Sequence, residues 1–194
     1  MKKRTQAIEL PAEEIAQQKA WMREFAALTD RPHSYCVVTY GCQMNVHDSE
    51  ALEGMLQEMG MQPAESRETA DFVIFNTCCI RENAQRRALG NVTWLKELKK
   101  TRPELMVGVC GCMMQQPGMG EQILKQYPFV DLAFGTHNLY RFAQLMLKAV
   151  KSRRRVVEVI QDDEGSIPED LPVHRTKDYE AYITIMYGCN NFCS

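Results

Sequence analysis

From Ser34 onward, short apolar runs alternate with longer stretches in which apolar residues recur every three or four positions. The short runs are Ser34–Tyr40, Asp71–Asn76, Leu105–Cys110 and Val130–Phe134. They are rich in Val, Ile and Phe without clean alternation, which predicts strands buried on both faces. Between them, Val46, Leu52, Met55, Leu56 and Met59 form one helical stripe that closes at Gly60, and Ile80, Ala84, Ala88, Val92, Leu95 and Leu98 form another that closes before Pro103. A helix near Leu139–Val150 covers the last of these strands, and Arg154–Ile160 reads as one more strand. Strand and helix in regular succession predict an α/β fold, an open parallel sheet with helices on both faces. Upstream, Ile15, Met22, Phe25 and Ala26 share a stripe within residues 11–28, an amphipathic helix with Pro11 in its first turn that packs on the domain's surface.

Residues 161–180 are acidic and irregular, with Pro168 and Pro172, and read as a linker. Ala181–Tyr187 is a fresh strand. The chain therefore divides into a helical extension (1–33), a sheet domain (34–160), the linker (161–180) and the start of a second domain (181–194).

The 194 residues carry 23 basic and 25 acidic side chains, a formal charge of -2, so no general pull on nucleic acid is expected and any RNA contact must be local or supplied elsewhere. No apolar run is long enough to span a bilayer, which excludes a membrane helix. Met1-Lys2-Lys3-Arg4 resembles the start of a signal peptide, but Glu9, Pro11, Glu13 and Glu14 interrupt the place of its apolar core. Eight cysteines are too few for a disulfide scaffold of this length, and reduced thiols in a cytoplasm are expected.

The position of those cysteines carries the chemistry. Cys42 follows the first predicted strand, Cys78 and Cys79 the second, and Cys110 and Cys112 the third, each ahead of a helix. The carboxyl ends of parallel strands share one edge, so thiols from three strands should converge there. No Cys-x-x-Cys occurs, which weighs against a thioredoxin-type dithiol and against zinc knuckles, and favours iron–sulfur ligation. Helix N-termini stabilise thiolates and an anionic cluster, and Arg81 adds a cation. The competing reading is that such cysteines are small buried hydrophobes, and Cys36, inside the first strand, is assigned to the core. Cys189-x-x-x-Cys193 is the opening of the Cys-x-x-x-Cys-x-x-Cys signature of radical S-adenosylmethionine proteins.

Together these segments resemble the radical S-adenosylmethionine (SAM) methylthiotransferases, most closely the tRNA branch, the MiaB type. The resemblance runs from about residue 34 to the end and rests on Thr39-Tyr-Gly-Cys-Gln-Met-Asn-Val-His-Asp-Ser-Glu50, Asn76-Thr-Cys-Cys-Ile-Arg-Glu-Asn-Ala84, Gly111-Cys-Met-Met-Gln115, Phe134-Gly-Thr-His-Asn138 and Gly188-Cys-Asn-Asn-Phe-Cys-Ser194. It selects Cys78 over Cys79 and Cys112 over Cys110, and implies that Cys42, Cys78 and Cys112 hold an auxiliary 4Fe-4S cluster. Cys189 and Cys193 would belong to a second, radical-generating 4Fe-4S cluster that binds SAM in a barrel whose first strand begins here. The implied reaction adds a methylthio group to C2 of N6-isopentenyl-adenosine beside the tRNA anticodon, with an electron-donor protein as partner, in a cytoplasmic monomer.

The chain ends at Ser194, ahead of the third cysteine of the radical signature, so it is expected to be inactive alone. Alternatives are action on threonylcarbamoyl-adenosine or on a ribosomal protein, a non-catalytic zinc module on the same thiols, and a flavodoxin-like domain with core cysteines. Asn45 and Asp48-Ser49-Glu50 read as helix-start residues, His47 and His137 as solvated, and Met113-Met114 as neighbours that shield a cluster. The basic group Lys148, Lys151 and Arg153-Arg154-Arg155 reads as compensation of a helix C-terminus, with an RNA backbone contact as the other reading.

Overall fold

A computed structural model of the chain describes residues 8–78, 82–160, 166–167, 172–175 and 179–182. Its core is a sheet of parallel strands β1 (Ser34–Tyr40), β2 (Gln62–Pro63), β3 (Phe72–Thr77), β4 (Met106–Cys110), β5 (Leu132–Phe134) and β6 (Val156–Glu158). Their spatial order is β2-β1-β3-β4-β5-β6, and every neighbouring pair is parallel. The helices are α1 (Ala12–Ala26), α2 (Gln43–Glu58), α3 (Glu82–Thr101), α4 (Met119–Gln126) and α5 (Phe142–Ser152), with short 3-10 turns at Cys112–Gln115 and Thr136–Arg141. The expected open parallel α/β sheet is therefore present.

Strand side chains split by parity into two cores. Tyr35, Phe72, Ile74, Leu132, Phe134 and Val156 face α1, α2 and α5, and Val73, Phe75, Val107, Val109 and Ala133 face α3 and α4. Helices cover both faces, which is why the strands read as continuous apolar runs. α1 belongs to the first core: Phe25 is fully buried and Met22 nearly so.

Helix ends follow the predicted punctuation. Gly60, at φ +76°, ends α2 in a Schellman motif, with Met61 N–H on Leu56 O (3.0 Å) and Gly60 N–H on Gln57 O (2.8 Å). Pro11 lies one residue ahead of α1, where its carbonyl accepts from Glu14 N–H at 2.9 Å.

Because β2 lies to one side of β1 and β3 to the other, the chain reverses its direction across the sheet between β1 and β3. In open α/β sheets the crevice outside the carboxyl ends at such a reversal is where ligands bind.

Among the described residues no helix is long and apolar enough to cross a membrane. Residues 161–165, 168–171 and 176–178 of the expected linker, and 183–194, which hold most of the predicted second-domain strand, lie outside the described residues. Ser166–Ile167 pairs in parallel with Ile8–Glu9. Pro172–His174 lies against α2, with His174 N–H donating to Glu50 O at 2.9 Å. Gly54 makes that approach possible: a Cβ there would sit 2.5 Å from the carbonyl carbon of Pro172 and 2.7 Å from Val173 N.

Candidate functional site

Cys42, Cys78 and Cys112 stand at the carboxyl ends of β1, β3 and β4, three adjacent strands at the reversal point. Cys42 is the N-cap of α2, Cys78 is the residue after β3, and Cys112 opens the 3-10 turn after β4. Cys42 is exposed, Cys112 half-buried and Cys78 buried.

Two glycines press the outer cysteines against β3. A Cβ on Gly41 would lie 2.8 Å from Cys78 Cβ and would collide with the Asn45 amide, so the backbone leading into Cys42 rests on the Cys78 side chain. A Cβ on Gly111 would lie 2.6 Å from Thr77 O and 2.8 Å from Thr77 N, and its φ of +96° is one that side-chain-bearing residues avoid. Cys78 N–H in turn donates to Tyr40 O at 2.9 Å, prolonging the β1–β3 ladder past the last paired residues.

Polar side chains fasten α2 to the same edge. Asn45 Oδ1 accepts from Cys42 N–H at 3.2 Å and from Cys42 Sγ at 3.5 Å, while Asn45 Nδ2 donates to Asn76 Oδ1 at 3.2 Å. Asn76 Nδ2 donates to Asn45 O at 2.8 Å and to Ser49 Oγ at 3.0 Å, and Ser49 Oγ meets Thr39 Oγ1 at 2.7 Å. Asn45 and Asn76 are both fully buried.

Over residues 34–135, more than half of its length, the chain matches the model of the uncharacterized protein family UPF0004. The chain belongs to that family. Among its relatives are proteins named tRNA-2-methylthio-N(6)-dimethylallyladenosine synthase. The one from Clostridium perfringens (strain SM101 / Type A) is 49% identical over 160 residues, covering 82% of this chain and 36% of the relative. The one from Acetivibrio thermocellus is 47% identical over 189 residues (94% and 39%), and that from Clostridium tetani 51% over 161 residues (83% and 35%). The chain thus spans between a third and two fifths of the length of these relatives.

The other cysteines of this UPF0004 chain are placed differently. Cys110 is buried in the first core, and burial, with the Asp48 carboxylate and Cys112 nearby, holds its thiol well above the ordinary value. Cys36 packs half-buried against the second core, and burial raises its thiol too. Cys79, Arg81, Cys189 and Cys193 lie outside the described residues. Among the described residues no three His, Cys, Asp or Glu side chains stand close enough to hold a single metal ion.

Several residues do something other than the sequence suggests. Asp48, Ser49 and Glu50 are buried rather than capping, each only 5% exposed. His47 is half-buried beside Asp48, whose carboxylate lies 3.6 Å from Nδ1 and raises its pKa. Met113 and Met114, directly after Cys112, are fully buried in the second core. Arg155 caps α4 instead of α5, donating to Ile123 O, Leu124 O, Tyr127 O and Val130 O.

Gln115 and Asn138 have roles that the sequence reading missed. Gln115 Nε2 donates to Ile160 O at 2.9 Å, and Ile160 N–H donates to Asn138 Oδ1 at 3.0 Å. The Gln115 amide lies where a Cβ on Gly135 would be, so both amides hold the peptide at which the chain leaves the sheet. The buried atoms Thr77 Oγ1, Gln115 Oε1 and Asn138 Nδ2 have no hydrogen-bond partner among the described residues. All three belong to residues that end β3 or follow β4 and β5, on the cysteine-bearing edge.

A cleft of about 740 Å³ lies at the opposite edge, where the strands begin, lined by His33, Asp71, Met106 and Asp131 among others. Its carboxylates are engaged: Asp71 by Ser34 and Arg102, Asp131 by Lys99 and Val107 N–H. The thiols at the carboxyl edge are the better ligands for soft metals.

Proposed function

We propose that this chain is the part of a tRNA methylthiotransferase that holds an auxiliary 4Fe-4S cluster through Cys42, Cys78 and Cys112. The whole enzyme would place a methylthio group on C2 of N6-isopentenyl-adenosine beside the anticodon. Cys189 and Cys193 would supply ligands to a second 4Fe-4S cluster that binds SAM and takes electrons from a donor protein. The names of the relatives support the reaction class. One observation of the fold carries the site: three cysteines follow three adjacent parallel strands at the reversal point, with Gly41 and Gly111 pressed onto the end of β3.

The donor set fits a cluster better than one ion. Neighbouring strands lie about 4.8 Å apart, so the backbones bearing Cys42 and Cys112 are about 10 Å apart across the sheet. Zinc bonded to sulfur at about 2.3 Å would need its donors within about 4 Å of each other, closer than any such set among the described residues. An iron–sulfur cluster spreads its ligands more widely. Cys42 stands exposed at the N-terminal end of α2, where the helix dipole favours an anionic ligand, whereas Cys110 is buried and its thiol is held well above the ordinary value. When bound, the clusters and SAM supply the radical and sulfur chemistry needed at an inert aromatic C–H bond. The chain's own residues position the cysteines: Asn45 fixes the backbone of Cys42, and the β1–β3 ladder fixes Cys78.

Anaerobic addition of iron and sulfide tests the ligand set. A broad visible absorption should form and be lost in Cys42→Ala, Cys78→Ala and Cys112→Ala, but kept in Cys36→Ala and Cys110→Ala. Colourless protein that binds zinc tightly would overturn it. Nucleoside analysis of tRNA from cells with and without the whole protein tests the substrate.

A further inference from the structure

α3 carries a feature that the sheet does not need. Trp94 is 41% exposed and belongs to neither core. The Arg67 guanidinium lies over its ring, 4.7 Å from the centroid. Arg67 is itself held in place, donating from Nη1 to Asn91 Oδ1 at 2.5 Å and from Nε to Glu68 Oε1 at 3.1 Å. Asn91 Nδ2 donates to Tyr40 OH at 2.9 Å, which ties the pair to the end of β1, two residues before Cys42.

One turn before Trp94, Gly90 sits on the exposed side of α3, and a Cβ there would meet nothing within 4 Å among the described residues. A glycine inside a helix costs about 1 kcal/mol relative to alanine, and here neither backbone conformation nor packing asks for it. What it leaves is bare helix backbone that another chain can approach closely. Arg86 and Arg87, a turn earlier still, are exposed. Arg87 to Trp94 spans about 10 Å along the axis.

We propose that the α3 face of Arg87, Gly90, Asn91 and Trp94, with Arg67 laid on the indole, docks a single-stranded loop of RNA. This rests on the tRNA reading above and names where this chain touches that substrate. Charge and shape select RNA over protein. Unstacked bases pile on aromatic rings and guanidinium planes, and exposed arginines neutralise phosphates. On a chain of net charge -2 such attraction has to be local. The arrangement is assembled before binding, since Asn91 and Glu68 already fix Arg67, so little side-chain freedom remains to be lost.

The chain has two tryptophans, so Trp21→Phe leaves Trp94 as the only indole reporter. A hairpin RNA with an unpaired, adenosine-containing loop should quench Trp94 fluorescence saturably. In anisotropy titrations of the labelled hairpin, Trp94→Ala should weaken binding at least fivefold, the lower end of roughly 1–3 kcal/mol per stacked base. Arg87→Ala should lower the salt slope by about 1. Gly90→Leu should raise the melting temperature, because leucine is the better helix former, yet still weaken binding. Hairpin binding with no Trp94 quenching, or with an affinity unmoved by these variants, overturns the proposal. So does equal binding of polyglutamate. None of these readouts needs iron, sulfide or SAM, so failure here is distinct from failure of cluster assembly.

Discussion

Replacing Asn76 by alanine should loosen the carboxyl edge of the sheet by an amount that follows from its hydrogen bonds. Asn76 is fully buried in β3 and exchanges three bonds with α2: Nδ2 to Asn45 O and to Ser49 Oγ, and Oδ1 from Asn45 Nδ2. The consequences for its partners differ. Ser49 Oγ keeps Thr39 Oγ1, and a helix carbonyl such as Asn45 O can keep its own ladder donor, so each of those losses costs about 0.5–1.5 kcal/mol. Asn45 Nδ2 loses this acceptor and stays buried, at a cost of about 1–3 kcal/mol. Together these losses come to about 4 kcal/mol, in a range of roughly 2–6. With a urea m-value of about 2 kcal/mol/M, the unfolding midpoint should fall by roughly 1–3 M at unchanged m. Combining Asn76→Ala with Asn45→Ala should cost less than the sum of the two, by about 1–2 kcal/mol, since both remove the same contact. A midpoint shift below about 0.3 M, or strict additivity, would refute the view that this amide pair holds α2 to the sheet.

Two further outcomes are expected. Gly54→Leu should displace Pro172–His174 from α2, because its side chain would enter the space now held by that backbone, while α2 gains helix propensity. Hydrogen exchange at the His174 amide should then accelerate with no loss of global stability; unchanged protection would show that the segment is held some other way. Asp71 predicts a pH dependence. Burial alone would raise its pKa, but the Ser34 hydroxyl, the His33 and Ser34 amides and Arg102 outweigh burial and hold it below the ordinary value. A depressed folded pKa contributes stability above the unfolded value, near pH 4, that is lost as pH falls through the lower folded value. The stability gap between wild type and Asp71→Asn should therefore close on acidification, and a gap constant from neutral pH to about pH 2 would contradict this.

Much of the molecule was legible in its one-dimensional pattern. Apolar periodicity is a local property, so the long strands and helices, the Gly60 stop and the placing of Cys42, Cys78 and Cys112 after successive strands could be read directly. Two-residue β2 was not foreseen, because Gln62–Pro63 is too short to show a period and is exposed. Yet β2 is the strand that puts the reversal point between β1 and β3.

The polar residues were the least legible. Asn45, Asp48, Ser49 and Glu50 read as helix-start residues, and Asn45 does cap α2; all four are nevertheless buried, because α2 begins against the end of β3, a contact between segments some thirty residues apart. Arg155 reads as compensation for the helix before it and instead closes the carbonyls of α4. The Gln115 and Asn138 clamp on Ile160, the seat of Pro172–His174 on Gly54 and the exposed Trp94 arise in the same way. A hydrophobic stripe needs only to face inward, whereas a hydrogen bond needs one particular partner at one distance and angle. That partner is set by how distant segments meet.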